Sequence, residues 1–267
     1  MDLNQVSAFV ATPALGDWRP GDAWLAGGTW LFSEPQPGIE RLLDLTTLGW
    51  PALVAGPDGL EIAATCTIAE LRSWPGLPGT TAGPLIRQCC EAFLASFKVW
   101  NEATVGGNLC NALPAGPMIA LTAALDGVCL IQGPSGERTV RAADFVVGDN
   151  RHVLRPGEWL RSIYLPAAAL RGRHVFRRQS LNTHGRSAAL LIGTARSGRE
   201  WVLTVTASVK HPVQLRFSGD EGADEVRRAV LQAVPDELGH DDVHGLPAWR
   251  RHLTLGFAEE IRQELVQ

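Results

Sequence analysis

Two short glycine-bearing stretches hold the residues best suited to chemistry. Ala26-Gly27-Gly28-Thr29 lies within the apolar run "DAWLAGGTWLF", and Thr104-Val105-Gly106-Gly107-Asn108 lies within "ATVGGNLCNALPAGPM". Consecutive glycines reach positive φ and allow close approach to the backbone. Several N–H groups can then converge on one anion, as backbone nests do around phosphate. Thr29, Thr104, Asn108 and Asn111 would add side-chain hydrogen bonds to phosphate or sugar oxygens. For either turn alone a purely structural turn is the simpler account, because glycine is the usual residue there. Neither stretch is a GxGxxG or Walker motif, which argues against the dinucleotide and P-loop fingerprints.

The other candidate constellations are weaker. His240 and His244 flank "HDDVH", but the stretch is acidic and bounded by proline and glycine, so a solvated loop is expected and not a metal site. Ser180, His184 and Asp220 show no nucleophile elbow or base spacing. Cys66, Cys89, Cys90, Cys110 and Cys129 are odd in number and lack CxxC spacing, which reads as reduced thiols, with Cys89 and Cys90 in a helix core. The nine tryptophans are assigned to core and subunit interface. None of these constellations singles out an acid, base, nucleophile or metal ligand.

At 267 residues the chain has room for one large or two ordinary domains, and 45% hydrophobic with 19% charged residues suits a globular core. A net charge of −4 gives no electrostatic case for nucleic acid or an anionic membrane surface. No basic residue precedes Arg19 and no segment approaches the ~20 apolar residues of a membrane span, so neither a cleaved signal nor a span is expected. A cytoplasmic location follows as the expectation, with export on a signal-bearing partner as the exception.

The elements that must position the two turns can be read in outline. "ALVAGPDGLEIAA" predicts two strands around a Pro-Asp-Gly turn, and "TCTIAELRSW" a helix capped by Thr67 with Glu70 three residues on. Residues 84–97 predict a helix with Leu85, Ile86, Cys89, Cys90, Phe93 and Phe97 on one stripe. "MIALTAALDG" predicts a buried helix, "VCLIQGPSGERTV" a hairpin, and "RPGEWLRSIYLP" a turn and a strand ended by Pro166. Three β-like runs follow, then the amphipathic "ADEVRRAVLQAV". A last helix carries Trp249, Leu253, Phe257, Ile261 and Leu265 every four residues. A domain boundary is expected near 166–173.

Taken together and in this order, the two turns resemble the FAD-binding medium subunit of the xanthine dehydrogenase and carbon monoxide dehydrogenase family of molybdenum hydroxylases. "LAGGTWLF" resembles that family's AGGT-type turn, and "ATVGGNLCNALPAG" its T-[IV]-GGN turn and proline loop. "GLEIAATCTIAELRSWP", "VRAADFVVG", "LRPGEWLRSIYLP" and "DDVHGLPAWRRHL" carry looser likeness, so the resemblance spans nearly the whole chain.

The resemblance implies an α+β fold: a vanillyl-alcohol-oxidase-type FAD-binding module of two α/β subdomains, followed by a domain with a three-stranded antiparallel sheet and a helix bundle. It implies an FAD-binding domain over 1–169, with subdomains of about 1–52 and 53–169, and a C-terminal domain over 170–267. By the same resemblance the backbone of Leu25, Ala26, Gly27, Gly28, Thr29 and Trp30 wraps the pyrophosphate, and Thr104, Gly106, Gly107 and Asn108 complete the cradle with their amides. Leu94 would touch the cofactor, Leu160 would lie near the isoalloxazine, and Arg177 would be a basic residue near the flavin. The implied partners are a large molybdopterin subunit and a small [2Fe–2S] subunit, with NAD⁺, oxygen, a quinone or another acceptor taking the electrons.

Two positions depart from the family pattern. Trp30 follows AGGT where Asp is common, and Pro117 stands where a second Asp is common. These departures motivate an alternative in which the chain is a scaffold that has lost FAD binding; a free-standing flavin oxidoreductase is a third reading.

Overall fold

The structure is a computed structural model that describes residues 5–196 and 198–266. The chain begins with three short parallel strands, β1 (Ala8–Ala11), β2 (Asp22–Leu25) and β3 (Arg41–Asp44), ordered β1-β3-β2. Leu42, Leu43 and Leu45 bury this small sheet. The Ala26–Trp30 turn starts where β2 ends, at its C-terminal edge.

Next come β4 (Leu53–Gly56) and β5 (Gly59–Ala63), the expected hairpin. α1 (Ile68–Arg72) carries the expected cap: the Thr67 hydroxyl accepts the Glu70 N–H at 3.2 Å, and the Glu70 carboxylate accepts the Thr67 N–H at 2.8 Å. α2 (Gly83–Ala92) has Pro84 in its first turn and buries Leu85, Ile86, Cys89 and Cys90. It stops short of residue 97 because Phe93 turns extended, and Ser96 caps a separate short helix, α3 (Phe97–Trp100). Phe97 is therefore exposed and not part of the expected stripe. α4 (Val105–Asn111) starts at Thr104 and holds the second glycine pair, and α5 (Pro117–Ala124) is buried along its whole length.

β6 (Val128–Gly133) and β7 (Gly136–Arg141) form a hairpin, followed by α6 (Ala142–Phe145), the paired β8 (Val146–Gly148) and β9 (Arg151–His152), β10 (Trp159–Pro166) and α7 (Ala167–Leu170). The central sheet is antiparallel, ordered β4-β5-β10-β6-β7, with Ile163 of β10 facing Ile62 and Cys129. A bulge between Leu160 and Ser162 frees the Arg161 carbonyl to accept the Ala64 N–H. Burial raises the thiols of Cys66, Cys89, Cys90 and Cys129, Cys90 to about 12, so they pack as small hydrophobes.

The C-terminal sheet has four antiparallel strands where three were expected: β11 (Arg173–Ser180), β12 (Ser187–Ala195), β13 (Trp201–Thr206) and β14 (Val213–Phe217). The run "WVLTVTASVKHPVQLRF" breaks in two because Ala207 takes φ 66° and Pro212 cannot continue a ladder. In place of a helix bundle, α8 (Ala223–Ala233) and α9 (Pro247–Val266) pack on each other and on this sheet. β12 is buried on both faces, which is why it reads as continuous apolar residues. Leu190 and Ile192 join the central core, while Ala189, Leu191 and Ala195 join the core under α8 and α9.

The buried stripe of α9 is Arg250, Thr254, Ala258, Ile261 and Leu265. A strict period of four drifts around a 3.6-residue helix, so Trp249, Leu253 and Phe257 lie only partly buried, rotated off the stripe that the sequence suggested. Among the described residues, no helix is long and apolar enough to cross a membrane.

Two outcomes test this packing. Ile261→Ala, deleting a fully buried side chain beside Gly193, should lower unfolding stability by about 2–5 kcal/mol in denaturant titration. Burial holds the His174 and His152 imidazoles below their ordinary value, and His174 Nδ1 has no partner. The unfolded chain therefore binds more protons as pH falls through about 6.5, so stability drops with falling pH there, and His174→Asn should flatten that slope.

Candidate functional site

A cleft of about 1050 Å³ runs along the C-terminal edge of the first sheet. Its walls come from β2 and the Ala26–Trp30 turn, from α4 and the proline loop after it, from the start of β10, and from residues 184–187 ahead of β12. Leu25, Ala26, Gly27, Gly28, Thr29, Trp30, Leu94, Thr104, Gly106, Gly107, Asn108 and Leu160 all line it. Residues far apart in sequence are thus brought to one surface.

Both turns are packed against neighbouring segments at glycines that leave no room for a side chain. A Cβ on Gly27 would sit inside the Glu102 carbonyl group, and one on Gly106 would overlap Ala64. Gly28 takes φ 68°, the left-handed region where glycine is at no disadvantage. The N–H groups of Gly27, Gly28, Thr29 and Trp30 find no acceptor among the described residues. They border the cleft, and an unpaired row of amides is an arrangement suited to holding an anion.

The second turn works differently from the expectation. Its amides are already engaged: Val105 N–H donates to Cys66 O at 2.8 Å, Gly106 to Ala64 O at 2.9 Å, Gly107 to Thr104 Oγ1 at 2.9 Å and Asn108 to Thr104 O at 3.0 Å. Closing the first turn of α4 and docking it on residues 64–66 uses the donors that the sequence assigned to the cradle. What this segment offers is thin backbone and side chains. Asn108 Oδ1 accepts the Met118 N–H at 3.0 Å, which fastens α5 to α4, and the amide nitrogen of Asn108 has no acceptor among the described residues.

Arg177 lies outside the cleft. Its Nε meets Glu260 at 2.6 Å and its Nη2 meets Glu264 at 2.8 Å, both on α9. These carboxylates, Glu264 foremost, raise its pKa and hold the guanidinium away from the cleft lining.

Several lining residues were missed by sequence reasoning. Trp24 and Trp159 meet edge to face with centroids 4.8 Å apart, and Trp159 meets Trp50 at 5.9 Å. The Trp24 indole N–H is buried with no partner, an orphan donor in the cleft wall. Composition showed many tryptophans but not their convergence. Glu158 and Arg138 form a bidentate pair, with contacts of 2.9 and 2.8 Å, which lowers the Glu158 pKa. Arg155, Arg186, His184 and His244 also border the cleft. His244 comes from "HDDVH", which is not the expected solvated loop: His240 is 7% exposed and Asp242 is held by Arg250.

Over residues 2–168 the chain matches the family described as FAD binding domain in molybdopterin dehydrogenase, and it belongs to that family. FAD is therefore the cofactor of this domain. The unpaired amide row, the orphan indole N–H and the close backbone contact of Gly27 with Glu102 fit that group.

The chain is 28% identical over 128 residues to the carbon monoxide dehydrogenase medium chain of Afipia carboxidovorans, covering 47% of this chain and 43% of that one. It is 26% identical over 182 residues to the nicotine 6-hydroxylase medium subunit of Paenarthrobacter nicotinovorans, covering 65% and 63%. These alignments span less than two thirds of either relative. Its fold superposes on a chain of quinoline 2-oxidoreductase from Pseudomonas putida 86 with TM-score 0.81 at 20% identity, covering 100% and 99% of the two chains. A chain of the Cu,Mo-CO dehydrogenase gives TM-score 0.80 at 19% identity, covering 98% of each. At such identities the structural likeness shows the fold.

Gly27→Ala should separate the two turns, because the added methyl group cannot coexist with the Glu102 carbonyl. FAD retention through gel filtration is expected to fall at least about tenfold, as when a supporting contact of a bound group is lost.

Proposed function

We propose that the chain is the FAD-carrying electron-transfer subunit of a multi-subunit molybdenum hydroxylase. The observation that carries this reading is the row of unpaired amides at Gly27–Trp30, facing a cleft in a chain of the FAD-binding family. When bound, the flavin supplies the redox chemistry, taking electrons from the [2Fe–2S] clusters of a small partner subunit and passing them to an external acceptor. Substrate oxidation belongs to a molybdopterin centre on a large partner subunit. The medium chain and medium subunit among the relatives support such an assembly. A cytoplasmic site is part of this proposal.

The chain's own residues bind and orient. Gly27 to Trp30 donate N–H groups to the pyrophosphate, with Leu25 and Ala26 setting the turn at the end of β2. Thr104 and Asn108 contribute side chains, while Gly106 and Gly107 keep the wall thin enough for close approach. Leu94 and Leu160 would supply apolar contact, with Leu160, at the β10 bulge, on the isoalloxazine side. We place two units at 1–169 and 170–267, the first being a vanillyl-alcohol-oxidase-type module whose two subdomains meet at the cradle. Trp30 does not remove the cradle, since the turn acts through its backbone. No side chain is assigned as acid, base or nucleophile.

Purified with its partners, the protein is expected to be yellow with a flavin band near ~450 nm, and isolation from native cells should recover a large molybdopterin subunit and a small iron–sulfur subunit. A colourless chain that takes up no added FAD would make it a scaffold. A yellow chain isolated without those partners would make it a free-standing flavin oxidoreductase.

A further inference from the structure

Arg250 is a charged side chain, 1% exposed, inside the C-terminal core of a chain whose other arginines mostly sit at the surface. Every arm of its guanidinium is engaged. Nε donates to Gly245 O at 2.7 Å, and Nη1 donates to Ala188 O at 2.7 Å and Ala207 O at 2.8 Å. Nη2 pairs with the Asp242 carboxylate. Asp242 in turn accepts the His244 N–H at 2.8 Å and meets His240 Nε2 at 3.2 Å. One buried cation therefore ties together the start of β12, the corner after β13 and the 242–245 loop.

Each of those three segments leads to the cleft. Ala188 follows Ser187, and the 242–245 loop carries His244; Ser187 and His244 line the cleft. The corner reaches it from behind. Ala207, with φ 66°, is the centre of a three-residue turn closed by the Ser208 N–H to Thr206 O at 2.8 Å. That is the strained form of the γ-turn, which persists only where its surroundings hold it. Here the surroundings are Arg250 on the Ala207 carbonyl and Pro114 on its N–H, at 2.9 Å. Pro114 begins the loop whose Ala115, Gly116 and Pro117 form the cleft wall opposite the amide cradle.

We propose that Arg250 is a positioning residue for the cofactor site: by holding the strained Ala207 corner, the 242–245 loop and the start of β12, it fixes the C-terminal wall and the proline loop that close the FAD cleft. It touches no cleft-lining atom of the cradle itself. The inference rests on the FAD reading above, and extends the site into the domain beyond the family match at residues 2–168. Lysine cannot replace it, because a point ammonium cannot serve three carbonyls and a carboxylate with fixed fork geometry.

The test is FAD affinity of the full-length chain, followed by flavin fluorescence well below the melting temperature. Arg250→Met and Arg250→Lys should each weaken binding about tenfold or more, as loss of an outer positioning partner does at other bound groups. Leu265→Ala, a cavity at the far end of the same helix, should lower the melting temperature and leave affinity at the wild-type value. Equal affinity for the Arg250 variants and Leu265→Ala would overturn the proposal and make Arg250 a stabilising residue only. Should the Arg250 variants not fold, hydrogen exchange in the wild-type chain decides: FAD should slow exchange of the Ala207 amide, and an unchanged rate would overturn the proposal. If the wild-type chain binds no FAD, it is the cofactor reading that fails.

Discussion

The structure depends on the approach of two backbone segments with no side chain between them. Gly27 rests on the Glu102 carbonyl, and Gly106 on Ala64. The Gly27 contact sets the turn after β2 against the backbone just before α4, and the Gly106 contact docks α4 on the end of β5. A Cβ at either glycine would overlap backbone atoms, which cannot yield as the end of a flexible side chain can. The two turns divide the labour accordingly. The first leaves its amides without an acceptor among the described residues, and the second uses its amides to close and dock α4. An N–H so used cannot also serve a ligand.

A second constraint ties the C-terminal residues to the site. β12 is buried on both faces, so the sheet it belongs to cannot leave the first core without exposing Leu190 and Ile192. α5 packs against β12 and β13, and the loop before α5 is hydrogen-bonded to Ala207. The cleft wall is thus supported by two cores, one on each side of the same strand. Such support is what holds a binding group to within the small tolerances a cofactor needs.

Local signals were legible in the sequence, and long-range ones were not. The Thr67 capping box, the β6–β7 hairpin and the buried α5 each follow from a short window, and the structure contains them. The two glycine turns could be matched to each other only through a family resemblance, since nothing local says that Gly27 meets Glu102. The stripe of α9 was misplaced because apolar residues alone were counted. Arg250 faces inward, paired and hydrogen-bonded, so its charge hid a core position. The same blindness made a solvated loop of residues 240–244, whose carboxylate is the partner of that arginine. The fourth strand was hidden by Ala207, an ordinary residue in a conformation only its surroundings sustain.

The electrostatic character of the cleft explains why the missing carboxylates at Trp30 and Pro117 are compatible with the cradle. Glu158 borders the cleft, but its charge is matched by Arg138 in a bidentate pair. Arg155 and Arg186 line the same space, and the unpaired amides of Gly27 to Trp30 add partial positive charge. On the proposed reading a pyrophosphate would gain from each of these. His152, held neutral by burial, adds no charge near neutral pH. Such a site favours the anionic middle of the cofactor at the expense of acceptors for its sugar hydroxyls. On that reading the hydroxyls would be left to neutral partners such as Asn111 and Asn150, which also line the cleft. Neutral acceptors give weaker hydrogen bonds than a carboxylate, so more of the binding must come from the amide row and from apolar enclosure by Trp24, Trp159 and Leu160.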